Sequence, residues 1–179
     1  MKIIAFSGKR TSGKSTMANH LVERYRAIKV SFADQLREEL LALGYPRHLV
    51  CGKPTTPEMR ALMIAHGQAR RAIDPDYWVK KVLAKLAQPT FYGSVLVVID
   101  DLRFWNEAER LKFHRAVLVR VTRMDPPPFV AGVDDDQSET DLDTWTAWDF
   151  EVSSSGGEVA RLKVAARSIV RCGCLGVGE

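Results

Sequence analysis

The sequence predicts an α/β fold, a central parallel sheet with helices on both faces, and three observations predict it. β-rich and helical patterns alternate along the chain, the order that builds parallel sheets with crossover helices. Val95-Leu96-Val97-Val98-Ile99 is a continuous apolar run without alternation, as expected of a strand covered on both faces. Gly8 to Ser15 is a glycine-containing loop set between an apolar run and an amphipathic stretch. With 179 residues and no internal repeat or linker composition, residues 1–179 are expected to form one domain.

Each element follows from local signals. Lys2–Ser7 is a short strand running into the glycine loop, and a helix follows over Ser15–Tyr25 with Met17, Leu21, Val22 and Tyr25 on one face. Ile28–Phe32 reads as the second strand. Ala33–Leu43 reads as a helix with Leu36, Leu40 and Leu43 inward, ended by Gly44. Thr56-Pro57-Glu58 starts another helix: a capping hydroxyl, proline in the first turn, and an acid at the positive end of the dipole. That helix is expected to reach Ile73, where Asp74-Pro75 stops it. Asp76 is expected to cap the next, whose buried stripe is Val79, Val82, Leu83 and Leu86. Val95–Ile99 ends at Asp100-Asp101, and a helical segment follows over Leu102–Lys112. Ala116–Val121 is a fourth strand, Phe150–Val152 a short last one, and Val159, Leu162, Ala166 and Ile169 mark a final helix.

Met124–Trp148 breaks this pattern with Pro126-Pro127-Pro128 and Asp134-Asp135-Asp136. Loops of such length in a compact domain tend to be lids, so residues 124–148 are expected to close over the site. The acidic run is expected on the outward face, since carboxylates repel phosphate.

Composition narrows the function classes. No apolar run approaches the roughly 20 residues that span a bilayer, and the first residues are too short for a signal peptide, so the expected compartment is the cytoplasm. Three cysteines, Cys51, Cys172 and Cys174, are a poor disulfide framework and read as free thiols. The net charge is +4, but the arginines are scattered and form no stripe, which suits a small polyanionic substrate better than nucleic acid. The four histidines are scattered too and form no catalytic constellation.

Gly8-Lys9-Arg10-Thr11-Ser12-Gly13-Lys14-Ser15 matches G-x-x-x-x-G-K-[ST] in full, and Thr16 follows. Its glycines let the backbone wrap a phosphate with successive N–H groups inward. Lys14 is expected to reach the β and γ oxygens of a nucleoside triphosphate, Ser15 to ligate Mg²⁺, and the next helix to add its positive end. The context makes the fold a three-layer one of the P-loop NTPase type. Asp100 and Asp101 follow the buried strand, where a carboxylate supports Mg²⁺; which of them does so is open, and Asp101 is taken for both the metal and a catalytic role. At least one of the pair is expected to cap the following helix. Arg103 lies two residues past Asp101, close to any bound phosphate.

The segment Val98-Ile99-Asp100-Asp101-Leu102-Arg103-Phe104-Trp105-Asn106-Glu107-Ala108-Glu109 resembles the D-V-R-F-x-N-E-A-E stretch of tailed-bacteriophage deoxynucleoside monophosphate kinases. Phe32-Ala33-Asp34-Gln35-Leu36-Arg37 is similar to that family's F-A-D-x-L-K. Arg60 through Gly67 to Arg71, then Trp78-Val79, is similar to its R-x-L-L-Q-x-x-G-T-x-x-R…W-V. Val119–Arg123 and Gln137-Ser138-Glu139-Thr140-Asp141-Leu142-Asp143 resemble its later strand and H-x-S-E-x-x-L-D stretch. The likeness spans about residues 3–160. Ile64, Gln68 and Gln137 depart from it, standing where the family has Gln, Thr and His.

The resemblance implies transfer of the γ-phosphoryl group of ATP, with Mg²⁺, to a deoxynucleoside monophosphate; the alternatives are another small P-loop kinase, of the phosphomevalonate or dephospho-coenzyme A type, and a non-catalytic nucleotide-dependent switch. Gly8, Lys9, Arg10, Thr11, Ser12, Gly13, Lys14, Ser15, Thr16 and Arg120 would serve the triphosphate, and Ser154–Gly157 would back the adenine. Asp34, Arg37, Arg60, Gln68, Arg71, Trp78 and Arg103 would serve the acceptor, and Arg123 would be the lid cation on the transferring group. No membrane and no stable nucleic-acid complex are expected; a homodimer is compatible with the reading. The compartment would be a host cytoplasm if the chain is phage-encoded.

Overall fold

The apolar residues Ile3 to Phe6 build the middle strand of a five-stranded parallel sheet. The computed structural model describes residues 1–52, 55–91 and 96–173; Val95 and Cys174 lie outside them. The chain divides into two compact units, Met1–Val30 with Tyr92–Glu179, and Ser31–Phe91.

In chain order, β1 (Lys2–Ser7) leads through the glycine loop into α1 (Lys14–Tyr25), and β2 (Ile28–Val30) follows. The second unit holds α2 (Phe32–Ala42), the short α3 (Arg47–Val50), α4 (Pro57–Ile73) and α5 (Tyr77–Leu86). The first unit resumes with β3 (Leu96–Leu102), α6 (Trp105–Phe113), β4 (Val117–Arg123), the one-turn α7 (Gln137–Thr140), β5 (Phe150–Ser154) and α8 (Val159–Gly173).

The sheet order is β2-β3-β1-β4-β5, with every pairing parallel. Ile4, Phe6, Val98, Val119 and Val121 face one side, packed by Met17, Ala18 and Leu21 of α1 and Leu162, Ala166 and Ile169 of α8. Residues alternating with them, Ala5, Val97, Ile99 and Leu118, are equally buried on the other face, where α6 packs on β4. Burial on both faces is why these strands lack polar alternation. The chain builds β2 and β3 to one side of β1, then β4 and β5 to the other. The carboxyl end of β1 is thus a switch point, where open parallel sheets leave a crevice for ligands.

In the second unit, Leu40, Val50 and Met59 form a core with Leu36, Leu41, Leu62 and Met63. Trp78 is 2% exposed, and its indole N–H donates to the Gly67 carbonyl at 3.1 Å.

Several boundaries move for local reasons. The second strand stops at Val30 because Ser31 caps α2, its hydroxyl accepting the Asp34 N–H. Thr56 caps α4 as expected, accepting the Met59 N–H. Asp76 makes no side-chain cap bond; instead Asp74 accepts the Asp76 N–H at 3.0 Å. β3 runs on through Asp100 and Asp101, and the N-cap position of α6 falls to Phe104, whose side chain has no polar atom to cap with. Glu107 does that work, its carboxylate accepting the N–H groups of Arg103 and Phe104 at 3.1 and 3.2 Å.

Candidate active site

Two glycines shape the loop after β1. Gly8 has φ +146°, and a β-carbon there would lie 2.1 Å from the Val121 carbonyl oxygen, so only glycine lets the loop rest on β4. Gly13, at φ +101°, starts α1, and a β-carbon there would meet Leu162 at 2.5 Å. Thr11 also takes a left-handed conformation, φ 59°, which is costly for a β-branched residue. A tightly curled loop before a helix start is a ready anion seat.

Lys14 is only 7% exposed, and its ammonium folds back on the loop: Nζ donates to the carbonyls of Gly8 and Lys9, each at 2.6 Å. Burial, and then the charge of Arg103, lower its pKa from 10.5 to about 7, against the opposing pull of Glu139, Asp100 and Asp101. A polyanion on the loop would restore the full charge.

Ser15 Oγ donates to Asp100 Oδ2 at 2.7 Å, and Lys29 Nζ pairs with the same oxygen at 2.7 Å. The carboxylate beside the loop serine is therefore Asp100, the first of the two aspartates between which the sequence left the choice open. β3 continues through both residues, and the β1–β3 register shifts there, with two residues of β3, Asp100 and Asp101, set against the single residue Phe6 of β1.

Arg103 sits at the loop. Its Nη1 donates to the carbonyls of Gly8 and Ser138, both at 3.3 Å, and pairs with Glu139 Oε1 at 2.7 Å. Residues 124–148 supply most of the loop's other partners. Arg10 Nε pairs with Asp134 at 2.5 Å and its Nη2 donates to the Pro128 carbonyl at 2.9 Å, while the Arg10 backbone N–H donates to Glu139 Oε2 at 2.9 Å. Asp143 bridges Lys9 at 2.6 Å and Arg120 at 3.0 Å, and Arg120 also donates to the Leu142 carbonyl. The outward placement of the acidic run is overturned for Asp134, because the loop arginine offers it a charge-assisted pair. Asp136 caps α7 by accepting from Ser138, and Asp135 stays exposed. Sequence reading missed Glu139, Asp134 and Asp143 as loop partners. The acidic spacing of Ser138–Asp143 was the available signal.

The remaining residues fall as follows. Thr16 lies in the first turn of α1. Arg123 is held by Asp125, donating to its carbonyl at 2.9 Å and its carboxylate at 3.3 Å, and it packs against Gly156. Asp34, Arg37, Arg60, Gln68, Arg71 and Trp78 all belong to the second unit. There Asp34 and Arg37 pair with each other at 2.9 Å, and Arg60 and Gln68 are exposed on α4. Trp78 is corrected from a ligand contact to a core residue, since its face is buried and its one donor is used.

Among the described residues no group of three or more His, Cys, Asp or Glu could hold a metal, and no helix is long and apolar enough to cross a membrane. Ser15 and Asp100 offer two hard oxygens beside the loop, a donor pair that suits Mg²⁺ when phosphate oxygens complete its shell.

Fold and loop together define an α/β protein of the P-loop type. No family model matches the chain. It is 28% identical over 145 residues, 79% of its length, to "Uncharacterized protein ORF77" of Ictalurid herpesvirus 1, and spans 59% of that protein. It is 26% identical over 171 residues to the "Putative deoxynucleotide monophosphate kinase" of Acanthamoeba polyphaga mimivirus, covering 84% of this chain and 86% of that one. Among solved structures, the unliganded crystal structure of a sugar kinase from Janibacter sp. HTCC2649 shares the fold. It has a TM-score of 0.52 and 12% identity, with coverage of 95% of this chain and 93% of the other.

Proposed function

We propose that the chain is a kinase that moves the γ-phosphoryl group of ATP to a deoxynucleoside monophosphate. The observation that carries this reading is the loop itself: a full phosphate-binding signature, folded at the sheet's switch point, with Lys14 within it and Ser15 on Asp100. The choice of acceptor is supported by the likeness to the mimivirus protein over most of both chains.

The chemistry asks little of the protein beyond positioning and positive charge. An oxygen of the acceptor's phosphate bonds to the γ-phosphorus while the β,γ-bridging P–O bond breaks, and ADP leaves with that oxygen. The acceptor is already an anion, so no general base is required. Loop N–H groups and Lys14 hold the triphosphate, and Lys14 follows the charge as it moves to the leaving oxygen. Ser15 and Asp100 would hold Mg²⁺, which when bound neutralises charge on the β and γ oxygens. Arg37, Arg60 and Arg71 are the cations proposed for the acceptor's phosphate. Residues 124–148 act as the lid that keeps water from the reacting phosphates.

The test is an ADP-release assay with ATP and Mg²⁺ against deoxynucleoside and ribonucleoside monophosphates, a sugar, and no acceptor. Release that depends on a deoxynucleoside monophosphate is expected. Release that ignores the acceptor, or follows the sugar alone, overturns the reading.

A further inference from the structure

The loop already holds an anion of the protein's own. Glu139, on α7, has a side chain only 5% exposed. One carboxylate oxygen accepts the Arg10 N–H of the loop at 2.9 Å, and the other pairs with Arg103 at 2.7 Å. Asp136 caps α7 and Thr140 donates to the Asp136 carbonyl, so the carboxylate is presented from an ordered turn. Flanking pairs, Arg10 with Asp134 and Lys9 with Asp143, hold the same segment against the loop. An inward backbone N–H, a guanidinium and a nearby ammonium are the donors a terminal phosphate would take.

The place of this contact along the loop matters. The N–H groups at Gly13, Lys14 and Ser15 open α1, and with the helix's positive end they suit the inner phosphates of a nucleotide. Arg10 lies at the opposite end, beyond the inner seat. A carboxylate there and a γ-phosphate would be two anions on the same donors. A diphosphate, which ends one phosphate earlier, makes no such conflict.

We infer that Glu139 is a specificity-determining residue that occupies the γ-phosphate position of the loop and thereby sets the balance between triphosphate and diphosphate. The inference rests on the reading of Gly8–Ser15 as a nucleotide site. A triphosphate must displace the Glu139 carboxylate from Arg10 and Arg103, so part of its binding energy is spent on that exchange. A diphosphate binds with Glu139 in place. After transfer the vacated position is refilled by the carboxylate.

Isothermal titration of the full chain with Mg²⁺ and either the β,γ-imido analogue of ATP or ADP tests this. Removing the charge in Glu139→Gln should tighten the triphosphate analogue by about tenfold and leave ADP within about twofold, since the competing anion is lost at one position only. Glu139→Asp keeps the charge but shortens its reach by a methylene, and should shift the same ratio in the same direction by less. Thermal melts establish that each variant is folded; if Glu139→Gln is not, Glu139→Asp decides by the same ratio. A merely structural carboxylate would move both nucleotides together. Equal changes, no change, or weaker triphosphate binding therefore overturn the inference. Wild-type protein that binds neither nucleotide overturns the nucleotide-site reading itself.

Discussion

Glu39 and Glu139 both draw cations, and they do so for opposite reasons. In the second unit, Glu39 of α2 receives His66 at 3.0 Å and Arg70 at 3.2 Å from α4, and Lys81 at 2.6 Å and the Tyr77 hydroxyl from α5. Arg70 and Lys81 also sit over the Tyr77 ring, at 5.3 and 5.4 Å from its centroid. Burial alone would raise the Glu39 pKa, but the hydrogen bonds from Lys81, Tyr77 and His66 outweigh it and hold the group at about 2. Every partner comes from packed helices of one unit, so the cluster is a clamp. Glu139, in contrast, bonds to a loop N–H and to Arg103 at the loop proposed to bind phosphate. The same chemistry ties helices together in one place and, on the proposed reading, stands where a ligand would bind in the other.

The largest effect that could break this comparison lies at Lys14. If the loop is the catalytic half, Lys14→Ala cuts ADP release by about 10²–10³ while the protein still folds, because one preorganised electrostatic donor is worth that much. Near-full activity in a steady-state assay would remove the loop from the chemistry.

The clamp half is tested by Glu39→Gln, which should lower stability by about 1.5–3 kcal/mol through lost hydrogen bonds to a charged group. Urea melts read this directly, and the ADP-release KM for ATP should hardly change. Acid should erase the difference. Folded Glu39 keeps its charge down to about pH 2, whereas its ordinary pKa is 4.5, so its contribution is present above 4.5 and lost as pH falls toward 2. Equal wild-type and variant stability at neutral pH would mean that the cluster holds nothing together.

The loop half carries a smaller signature. Lys14 in the folded protein gives up its proton near pH 7, while the unfolded chain keeps it to about 10.5. Its penalty on stability is thus full below 7 and eases as pH rises through that window. A triphosphate favours the ammonium, so binding at pH 8 should take up a fraction of a proton approaching one. Titration calorimetry in buffers of different ionisation enthalpy measures that uptake; none would mean the nucleotide does not sit at Lys14.

Much of the fold was legible because its signals are local. The unbroken apolar run at Leu96–Ile99 announced a doubly covered strand, and Thr56-Pro57-Glu58 announced the start of α4. Asp76 misled because an aspartate before a helix usually caps it, while here Asp74 binds the N–H in question. Trp78 misled because a motif match says nothing about burial.

What the sequence determined by itself was the loop's G-x-x-x-x-G-K-[ST] signature, since it is written in eight consecutive residues whose glycines and lysine need no distant partner to be read. It also determined the alternation of strand and helix, because hydrogen-bonding period and apolar period are properties of neighbours along the chain. Only the tertiary structure decided that Asp100 meets Ser15, because that depends on how far β3 extends before the chain turns. Only it showed Asp134, Glu139 and Asp143 on the loop. Arg10 and Glu139 are 129 positions apart, and a bond across that separation exists only once the sheet has brought β1 beside β4. No local pattern encodes it.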